Sequence, residues 1–502
     1  AGQAKYLIVA AQAADGYGDH TLANGTVAVL QVGDSVNALQ FGAKGDGIAD
    51  DQPAIQAAID TNSRVVGGGL YDVTTLSVKN KTAFSVEEIN ATVADTTTMI
   101  LGDTSTPAIR IEDLKMQGVK FTGSSGVGDN FADISTFATS NPLISNIHVG
   151  GGRTAIRVGY EPTGTHTVDA IVDNVFAKGC SVFGVEHIES DRTILSNVNV
   201  GNDGTQIGSH AIRYTGTIKG TTANVAHGLI LRDRLTAGIS IQKGAKWNVH
   251  GIGVIENTGE SGIMAHTTEV IDARSMIPHT VIANTDGDGL DLRNLSHIFF
   301  DALVDNVGEK GLRLGGGVDT PNESVNMGRV MVIGAQNGAA NVASDFNMID
   351  VIADTCSTAA SVFISGNHNM VRVIAKDCGD LTVYITGNSN HVTVVEDGTS
   401  VTGLRVDGNN NSVAGLITSI ATLNGDGNII KARMLGSLID NGARNTAQKA
   451  SIGEGDAAPT SGTYIRGDKI YDANPNANSF VGWVCVVGGS PGTWKTFGAI
   501  SA

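Results

Sequence analysis

The sequence predicts an all-β chain: a parallel β-helix solenoid with a helical cap at one end and a small β module at the other. Three observations lead there. Short Val/Ile-rich stretches such as LISNIHV, IVDNVFA, ILSNVNV and HTVIANT recur, each followed by a corner and a second short stretch such as TAIRV, GISIQ or GLDLR. Apolar, β-branched runs between turn residues are strands. The recurrence is every ~20–28 residues, which leaves no room for a full crossover helix and favours coils over a βαβ sheet. Glycine is 65 of 502 residues while proline is only 9, a balance that suits many tight corners and not a disordered linker.

Bulk properties narrow the function classes. The net charge is −17, which argues against a basic groove for nucleic acid, although Arg232 and Arg234 make a local patch. Four cysteines (Cys180, Cys356, Cys378, Cys485) are too sparse for a disulfide-built scaffold. Cys356 and Cys378 fall at matching corners of successive repeats and are expected to stack as buried thiols. No apolar run reaches the ~18–20 residues of a membrane span. The start, AGQAKYLIVAAQAADG, lacks a charged stretch followed by a long apolar core, so no signal peptide is read there.

Residues 1–38 are mixed and Gly/Val-rich, a short β segment or the end of an attachment arm. Residues 39–63 hold the cap. Asp50 or Asp51 can N-cap a helix, Pro53 sits in its first turn, and Ile55 and Ile59 give an i, i+4 apolar face. Such a helix would cover the open end of the first coil. The stretch FGAKGDGIADDQPAIQAAID resembles the opening segment of the pectate-lyase-like superfamily of right-handed parallel β-helices. That segment recurs in phage tailspike depolymerases, polysaccharide lyases and alginate epimerases. The resemblance is confined to that one stretch. It implies the fold and its handedness, which the general crossover rule supports; it does not choose the reaction. The same glycines do not make a nucleotide loop, since no Lys-Ser/Thr follows.

Residues 64–445 are assigned to the coil. Up to about 140 the repeats are irregular, and GVKFTGSSGVGDNFADISTFATSN reads as a loop excursion. The later rungs are tighter. Asn347, Asn369, Asn390 and Asn411 recur at a nearly constant interval of roughly 21 residues. Asparagine tolerates left-handed backbone and can hydrogen-bond to the next coil, so this is read as a structural ladder. His368 and His391 are one register apart and do not form a zinc pair. Around NGDGN (424–428) the coil is expected to shorten and end. Residues 451–502 hold two of the three tryptophans and hairpin signals at 472–478 and 488–492. This module resembles the terminal module of phage tail fibres and tailspikes. Tyr464, Trp483, Trp494 and Phe497 form a sugar-stacking platform, a small core or a trimer contact.

The chemistry is placed at three similar corners: NTGESGIMAH (257–266), NTDGDGLDLR (284–293) and NVGEKGLRLG (306–315). Stacked, they align Glu260 with Gly287 and Glu309, Ser261 with Asp288 and Lys310, Met264 with Asp291 and Arg313, and His266 with Arg293. Successive coils are about 4.8 Å apart. Asp286 or Asp288 would then lie about 5 Å from Glu260 and Glu309, and those two about 9–10 Å apart. Glycosidic cleavage needs an acid and a base or nucleophile about 5 Å apart for retention or ~6.5–9.5 Å for inversion. Both pairings exist here. Crowded acids also push one pKa up, as a general acid requires.

NTDGDGLDL followed by GEKGLRL is similar to the polygalacturonase-type hydrolase pattern, an Asn-Thr-Asp-Gly corner followed a rung later by Gly-Asp-Asp. Asp286 matches the first acid and Glu309 the first of the pair; Lys310 replaces the second. The family's later Gly-His-Gly and Arg-Ile-Lys are missing. The resemblance implies polysaccharide cleavage, not pectin specificity. A lyase would use other residues: Arg293, Arg313 and Lys310, with His266, to neutralise a uronate and abstract its proton. Asp286, Asp288 and Asp291 offer oxygens for Ca²⁺ without an EF-hand loop, although no cofactor is required. Corner acids also cap neighbouring coils, and Asp291–Arg313 would then be a cross-rung salt bridge of small worth. Rival patches are VEHIESDR (185–192), LILRDRL (229–235) and KWNVHG (246–251). Trp247, the one tryptophan before the C-terminal module, is a sugar platform or a core ring.

The expected function is that of a polysaccharide depolymerase of tailspike type. Hydrolysis leads, through Asp286, Glu309 and Glu260 or Asp288, with Arg293, Arg313, His266, Trp247, Asp291 and Lys310 gripping the glycan. The alternatives are a uronate lyase, more distantly an epimerase, and a non-catalytic glycan-binding spike. The tailspike resemblance implies a homotrimer on a virion tail or in the extracellular space.

Overall fold

The computed structural model describes residues 4–10, 12–61, 64–78, 83–91, 97–102, 111–112, 115–117, 120–123, 132–137, 139–159, 166–202, 204–215, 221–242, 245–246, 248–250, 253–265, 271–272, 274–293, 295–315, 325–356, 360–397, 401–447, 453–461, 464 and 466–501. Two compact units divide the chain, Ala1–Asp286 and Gly287–Ala502. Each is built of parallel β-helix coils, as the rung pattern predicts.

The first unit opens with an antiparallel sheet of Lys5–Val9, Val27–Gln31 and His20–Thr21. The capping helix, α1, spans Gln52–Thr61 and buries Ala54, Ile55, Ala58 and Ile59. Both aspartates before it are used. The Asp51 carbonyl accepts the first helical bond from Ile55. Its carboxylate turns back to take the Lys44 and Gly45 N–H groups at 2.6 and 3.1 Å. The Asp50 carboxylate takes the Gln52 N–H at 3.1 Å. Gln52 and Gln56 then tie the polar side of the helix to Thr74, Thr75 and Ser77, which begin the coil. Helix and first rung are thus fastened by both apolar burial and amide hydrogen bonds.

Three parallel sheets line the coils of this unit. One runs from Arg64–Val73 and Ala83–Ala91 through Leu143–Gly150, Ile171–Lys178 and Ile194–Gly201 to Gly253–Thr258 and Met276–Thr285. A second includes Thr154–Val158, Phe183–Ile188, His210–Thr215, Ala237–Ile241 and Ser261–Met264. A third, of two-residue strands, includes Thr167–Val168, Ser190–Asp191, Thr221–Thr222 and Ala245–Lys246. Lys120–Gly123 pairs in parallel with both Ala83–Ala91 and Leu143–Gly150. Part of the expected excursion is therefore coil, because the ladder hydrogen bonds available there outweigh the turn-rich composition around it.

The second unit uses two such sheets. One holds Phe299–Val307, Met327–Ile333, Met348–Asp354, Met370–Lys376, His391–Asp397, Ser412–Ile417 and Ile429–Met434. The other runs from Leu290–Leu292 and Leu312–Leu314 to Ile420–Leu423 and Leu438–Asp440. The coil shortens at NGDGN as expected but does not end there. Asn428 and Asn445 continue the corner, each 17 residues on. The C-terminal module places Lys469–Asp472, Phe480–Val487 and Thr493–Ala499 antiparallel, with turns where the hairpin signals lie.

Register stacks like on like. Val330, Val351, Val373 and Val394 form one interior column, and all are at most 1 % exposed. Each such side chain contributes roughly 1.5–3 kcal/mol by leaving water. The corner asparagines hydrogen-bond upward in an unbroken series, Asn326, Asn347, Asn369, Asn390, Asn411, Asn428 and Asn445. Each backbone N–H donates to the next Oδ1 at 2.8–3.1 Å. Cys356 and Cys378 are buried thiols on adjacent rungs, with Asp354 and Lys376 paired two residues before them.

Candidate active site

The three similar corners owe their pattern to backbone geometry. Asn257, Asn284 and Asn306 are all left-handed, with φ of 54°, 53° and 50°, where asparagine costs least after glycine. Each turns the chain at the end of a strand. The following Gly289 and Gly311 face the interior: a Cβ would lie 2.4 Å from Val304 and 2.3 Å from Val332. The polar residues between asparagine and glycine are thereby held outside the core.

In the second unit this brings together Asp288, Asp291, Arg293, Glu309, Lys310 and Arg313. Leu290–Leu292 pairs with Leu312–Leu314, placing Asp291 opposite Arg313 as expected. The salt bridge expected between them does not form. Asp291 is gripped by Arg293 on its own strand at 2.8 and 2.6 Å. Residues two apart share a face, so the nearer guanidinium takes the short carboxylate. Arg313 reaches instead to Asp288, with Nε 3.0 Å from Oδ2 and Nη2 3.0 Å from Oδ1. The Lys310 backbone N–H donates to the same carboxylate at 3.0 Å.

Asp288 is 5 % exposed. Burial raises its pKa above the ordinary carboxylate value, with Asp291 adding to the rise, against the pull of Arg313 and the Lys310 N–H. Lys310 is lowered, by burial first and then by Arg313. Its Nζ donates to the Asn337 carbonyl at 2.7 Å. The Asn337 amide donates to Glu309 Oε2 at 2.6 Å. Glu309 itself is exposed, and its N–H bonds to the Gly287 carbonyl at 3.0 Å. Glu309 therefore sits one rung beyond Gly287, about 4.8 Å along the coil axis. Asn337, from AQNGAA, is not among the residues the sequence singles out. Its signal is position, since it falls one coil beyond Glu309. A Ca²⁺ ion at Asp288 or Asp291 would have to displace Arg313 or Arg293.

Glu260 and Asp286 belong to the first unit, and both are exposed. Asp286 Oδ2 lies 3.4 Å from Gln206 Nε2, and its N–H donates to Thr258 at 2.8 Å. The Glu260 N–H donates to Thr236 at 2.9 Å. Trp247 and His266 lie outside the described residues.

In two rival patches, Asp233 and Arg234 of the one and Asn248 and His250 of the other serve the scaffold. Asp233 accepts from the Asn202 and Gly204 N–H groups and from Asn257 Nδ2, at 3.0, 3.1 and 2.6 Å. Arg234 is fully buried, donates to the Cys180 and Val182 carbonyls, and is lowered to about 10 by burial. In KWNVHG, Asn248 and His250 point inward; His250 packs edge-on against Tyr214, 4.6 Å between ring centres. The patch at 185–192 differs. There Glu186 lies between Arg157 and Arg213, at 2.7 and 2.9 Å, and His166 lies 2.9 Å from Asp191.

No protein-family model matches the chain, and no curated protein matches it by sequence. Three of the solved structures similar to it are a tailspike mutant of the E. coli bacteriophage HK620 in complex with a hexasaccharide, the family 28 exopolygalacturonase of Yersinia enterocolitica, and the surface adhesin PfbA of Streptococcus pneumoniae. The first is 11% identical over 92% of each chain, with a TM-score of 0.43. The second is 13% identical over 75% of this chain and 81% of that one, with a TM-score of 0.42. The third is 14% identical over 82% and 99%, with a TM-score of 0.32. None of these likenesses assigns a role to a residue here.

Proposed function

We propose that this chain binds a polysaccharide and cleaves it by hydrolysis at the corner of the second unit. The observation that carries the reading is the contrast between two carboxylates on adjacent rungs. Asp288 is buried and raised, the condition of a group that donates a proton to a leaving oxygen. Glu309 is exposed and oriented by Asn337 at 2.6 Å, the condition of a base or nucleophile. Arg293, Lys310 and Arg313 supply donors for sugar hydroxyls and carboxylates. Asp286 and Glu260, the other acids expected from the sequence, are tested separately by Asp286→Asn and Glu260→Gln.

A second reading is supported by Lys310, whose lowered pKa beside Arg313 suits a base that abstracts a proton next to a neutralised uronate. Digestion of a panel of acidic and neutral polysaccharides tests both. New reducing ends without ultraviolet absorbance of an unsaturated sugar support hydrolysis, and Asp288→Asn or Glu309→Gln should each lower the rate at least ~100-fold. Absorbance with Lys310→Met as the damaging change supports elimination. Binding without any product supports a glycan-binding spike and removes the hydrolase.

The proposed setting is a homotrimer on a virion tail or in the extracellular space. Phe299, Met327, Met348 and Met370 form one outward column by register, 44–50 % exposed, and a neighbouring copy would cover it. Light scattering of the full chain tests this; a monomer at micromolar concentration overturns it.

A further inference from the structure

The antiparallel sheet of the C-terminal module has two unlike faces. Directly opposed residues share a face. Register aligns Tyr471 with Gly482 and Phe497, and Lys469 with Val484 and Lys495. Phe480, two residues before Gly482, points the same way. The other face carries Ile470, Trp483, Cys485 and Trp494, with Ile470 and Cys485 buried. Tyr464 packs edge-on against Trp494 at 4.9 Å, and the Trp494 indole N–H donates to the Pro491 carbonyl at 3.0 Å. Of the four aromatics that the sequence singles out in this module, Tyr464, Trp483 and Trp494 therefore belong to the inner face. Phe497 lies on the open one.

Three features prepare the open face for a ligand. Its rings gather about a glycine: Tyr471 and Phe497 meet at 5.8 Å, 72° apart, and Gly482 is the residue opposite both. A Cβ at 482 would lie 2.1 Å from the Ile470 carbonyl oxygen, so no side chain can fill the floor between the rings. Next, the rings stay open. Tyr471 and Phe480 are 38 % and 45 % exposed, and the Tyr471 hydroxyl makes no hydrogen bond among the described residues. Finally, the face is basic. Lys469 and Lys495 are exposed, and neither enters an ion pair among the described residues. The Lys469 ammonium is held 5.4 Å over the Phe497 ring. Aromatic faces attract the C–H side of a sugar ring, and an ammonium donates to its carboxylate or sulfate oxygens.

We infer that the open face of the C-terminal module, at Tyr471, Phe480, Phe497, Lys469 and Lys495, binds an anionic glycan, one that bears uronate or sulfate groups. The inference shares with the proposed function the class of ligand, and it does not depend on turnover. In a chain of net charge −17, two cations without acidic partners on one aromatic face are a local exception, and they call for an anion. A second copy of the chain fits the face less well, because covering it would desolvate two unpaired ammoniums. Two lysines are also too few for a bilayer surface or a nucleic acid, which are held by larger basic clusters.

Calorimetric titration of the full chain with a hexameric oligouronate, a sulfated hexaose and a neutral hexaose tests the inference. At least one anionic hexamer should bind roughly tenfold or more tightly than the neutral one, and which of the two binds names the substituent. Tyr471→Ala and Lys469→Gln should each weaken that binding roughly tenfold. Both side chains are exposed, so the melting temperature should hold. Unchanged binding in both variants, equal binding of neutral and anionic hexamers, or no binding of any hexamer overturns the inference. A fall in molar mass by light scattering in Tyr471→Ala, with hexamer binding kept, overturns it too and makes the face a subunit contact. Equally tight binding of phosphatidylglycerol vesicles overturns it in favour of a membrane. Binding that both variants weaken, without cleavage of any polymer, upholds it while the hydrolase fails. Cleavage together with unchanged anionic binding in both variants does the reverse.

Discussion

The two units solve the same problem, closing a β-coil, in opposite ways. In the first, the step from one rung to the next is uneven: it is 23 residues from Asp173 to Ser196 and 31 from Thr193 to Asn224. In the second, the step settles to 22 residues at Asn347, 21 at Asn369 and 17 at Asn411. Uniform coils bring identical residues to identical corners, and the asparagines there form one hydrogen-bonded series. Uneven coils cannot. The matching corner of the first unit is shorter and mixed: the Thr193 N–H meets Asn224, Asn224 meets Asn248, and Asn248 meets Ser275. What the uneven coils hold instead is buried charge and buried histidine. The proposed catalytic corner of the second unit, at 288–313, also precedes its uniform stretch. Uniform rungs commit their corners to the ladder, and uneven rungs leave corners for charged groups.

That contrast can be broken most forcefully at Glu186. Replacing it with glutamine removes the carboxylate that Arg157 and Arg213 share, and loss of one partner of a buried pair costs about 3–5 kcal/mol. Urea denaturation should show the first unit unfolding earlier while the second keeps its midpoint. A fall of under about 1 kcal/mol would mean that water reaches Arg157 and that the network is superficial.

The next effect belongs to the ladder. Asn390→Ala removes the acceptor for the Asn369 N–H and the donor to Gly366 and Asn411. Each buried group left unpaired costs about 1–3 kcal/mol. A second ladder runs Asp345, Asn367, Asn388, Asn409 and Asp426, in which each backbone N–H from Asn367 on donates to the side-chain Oδ1 of the member one rung before. There Asn388→Ala should cost clearly less, since water can replace the amide. Equal losses at the two positions would show that backbone conformation, not burial, sets the value of the ladder.

Acid separates the units next. His187, His210 and His250 are each lowered to about 3, by burial above all. Their folded values lie below the ordinary value of about 6.5, so between those limits the unfolded chain binds more protons. The stability they permit is complete above about pH 6.5 and is lost as pH falls toward about 3. Each contributes a slope of about 1.4 kcal/mol per pH unit inside that window. The first unit, which holds all three, should unfold first on acidification. His187→Phe, which keeps a ring against Tyr214, should flatten the dependence; an unchanged slope would assign it to other groups.

The smallest effect is expected at Arg329, paired with Asp301 at 3.0 Å but 61 % exposed. Arg329→Ala should change stability by under about 0.5 kcal/mol. A larger loss would show that the adjoining Phe299–Met327 face is covered, as a homotrimer requires.

Much of this architecture is written locally. The alternation within each rung sets which residues face inward, because a strand has a period of two. The glycine after each corner is required where Val304 and Val332 leave no room for a Cβ. The asparagine spacing and the hairpins of the C-terminal module follow from turn chemistry within a few residues. The partners of the charged groups are not written there. Register aligns Asp291 with Arg313, yet Asp291 takes Arg293 and Arg313 takes Asp288, because reach and side-chain direction decide among donors that register leaves nearly equivalent. Glu186 stands 29 residues from Arg157 and 27 from Arg213, separated by coils of unequal length, so no fixed repeat aligns them in the sequence. The sequence by itself determined the coil, its cap and its corners, since these depend on neighbours along the chain. Only the tertiary structure decided which carboxylates are buried and which guanidiniums hold them, since desolvation and ion pairing depend on groups that meet across rungs.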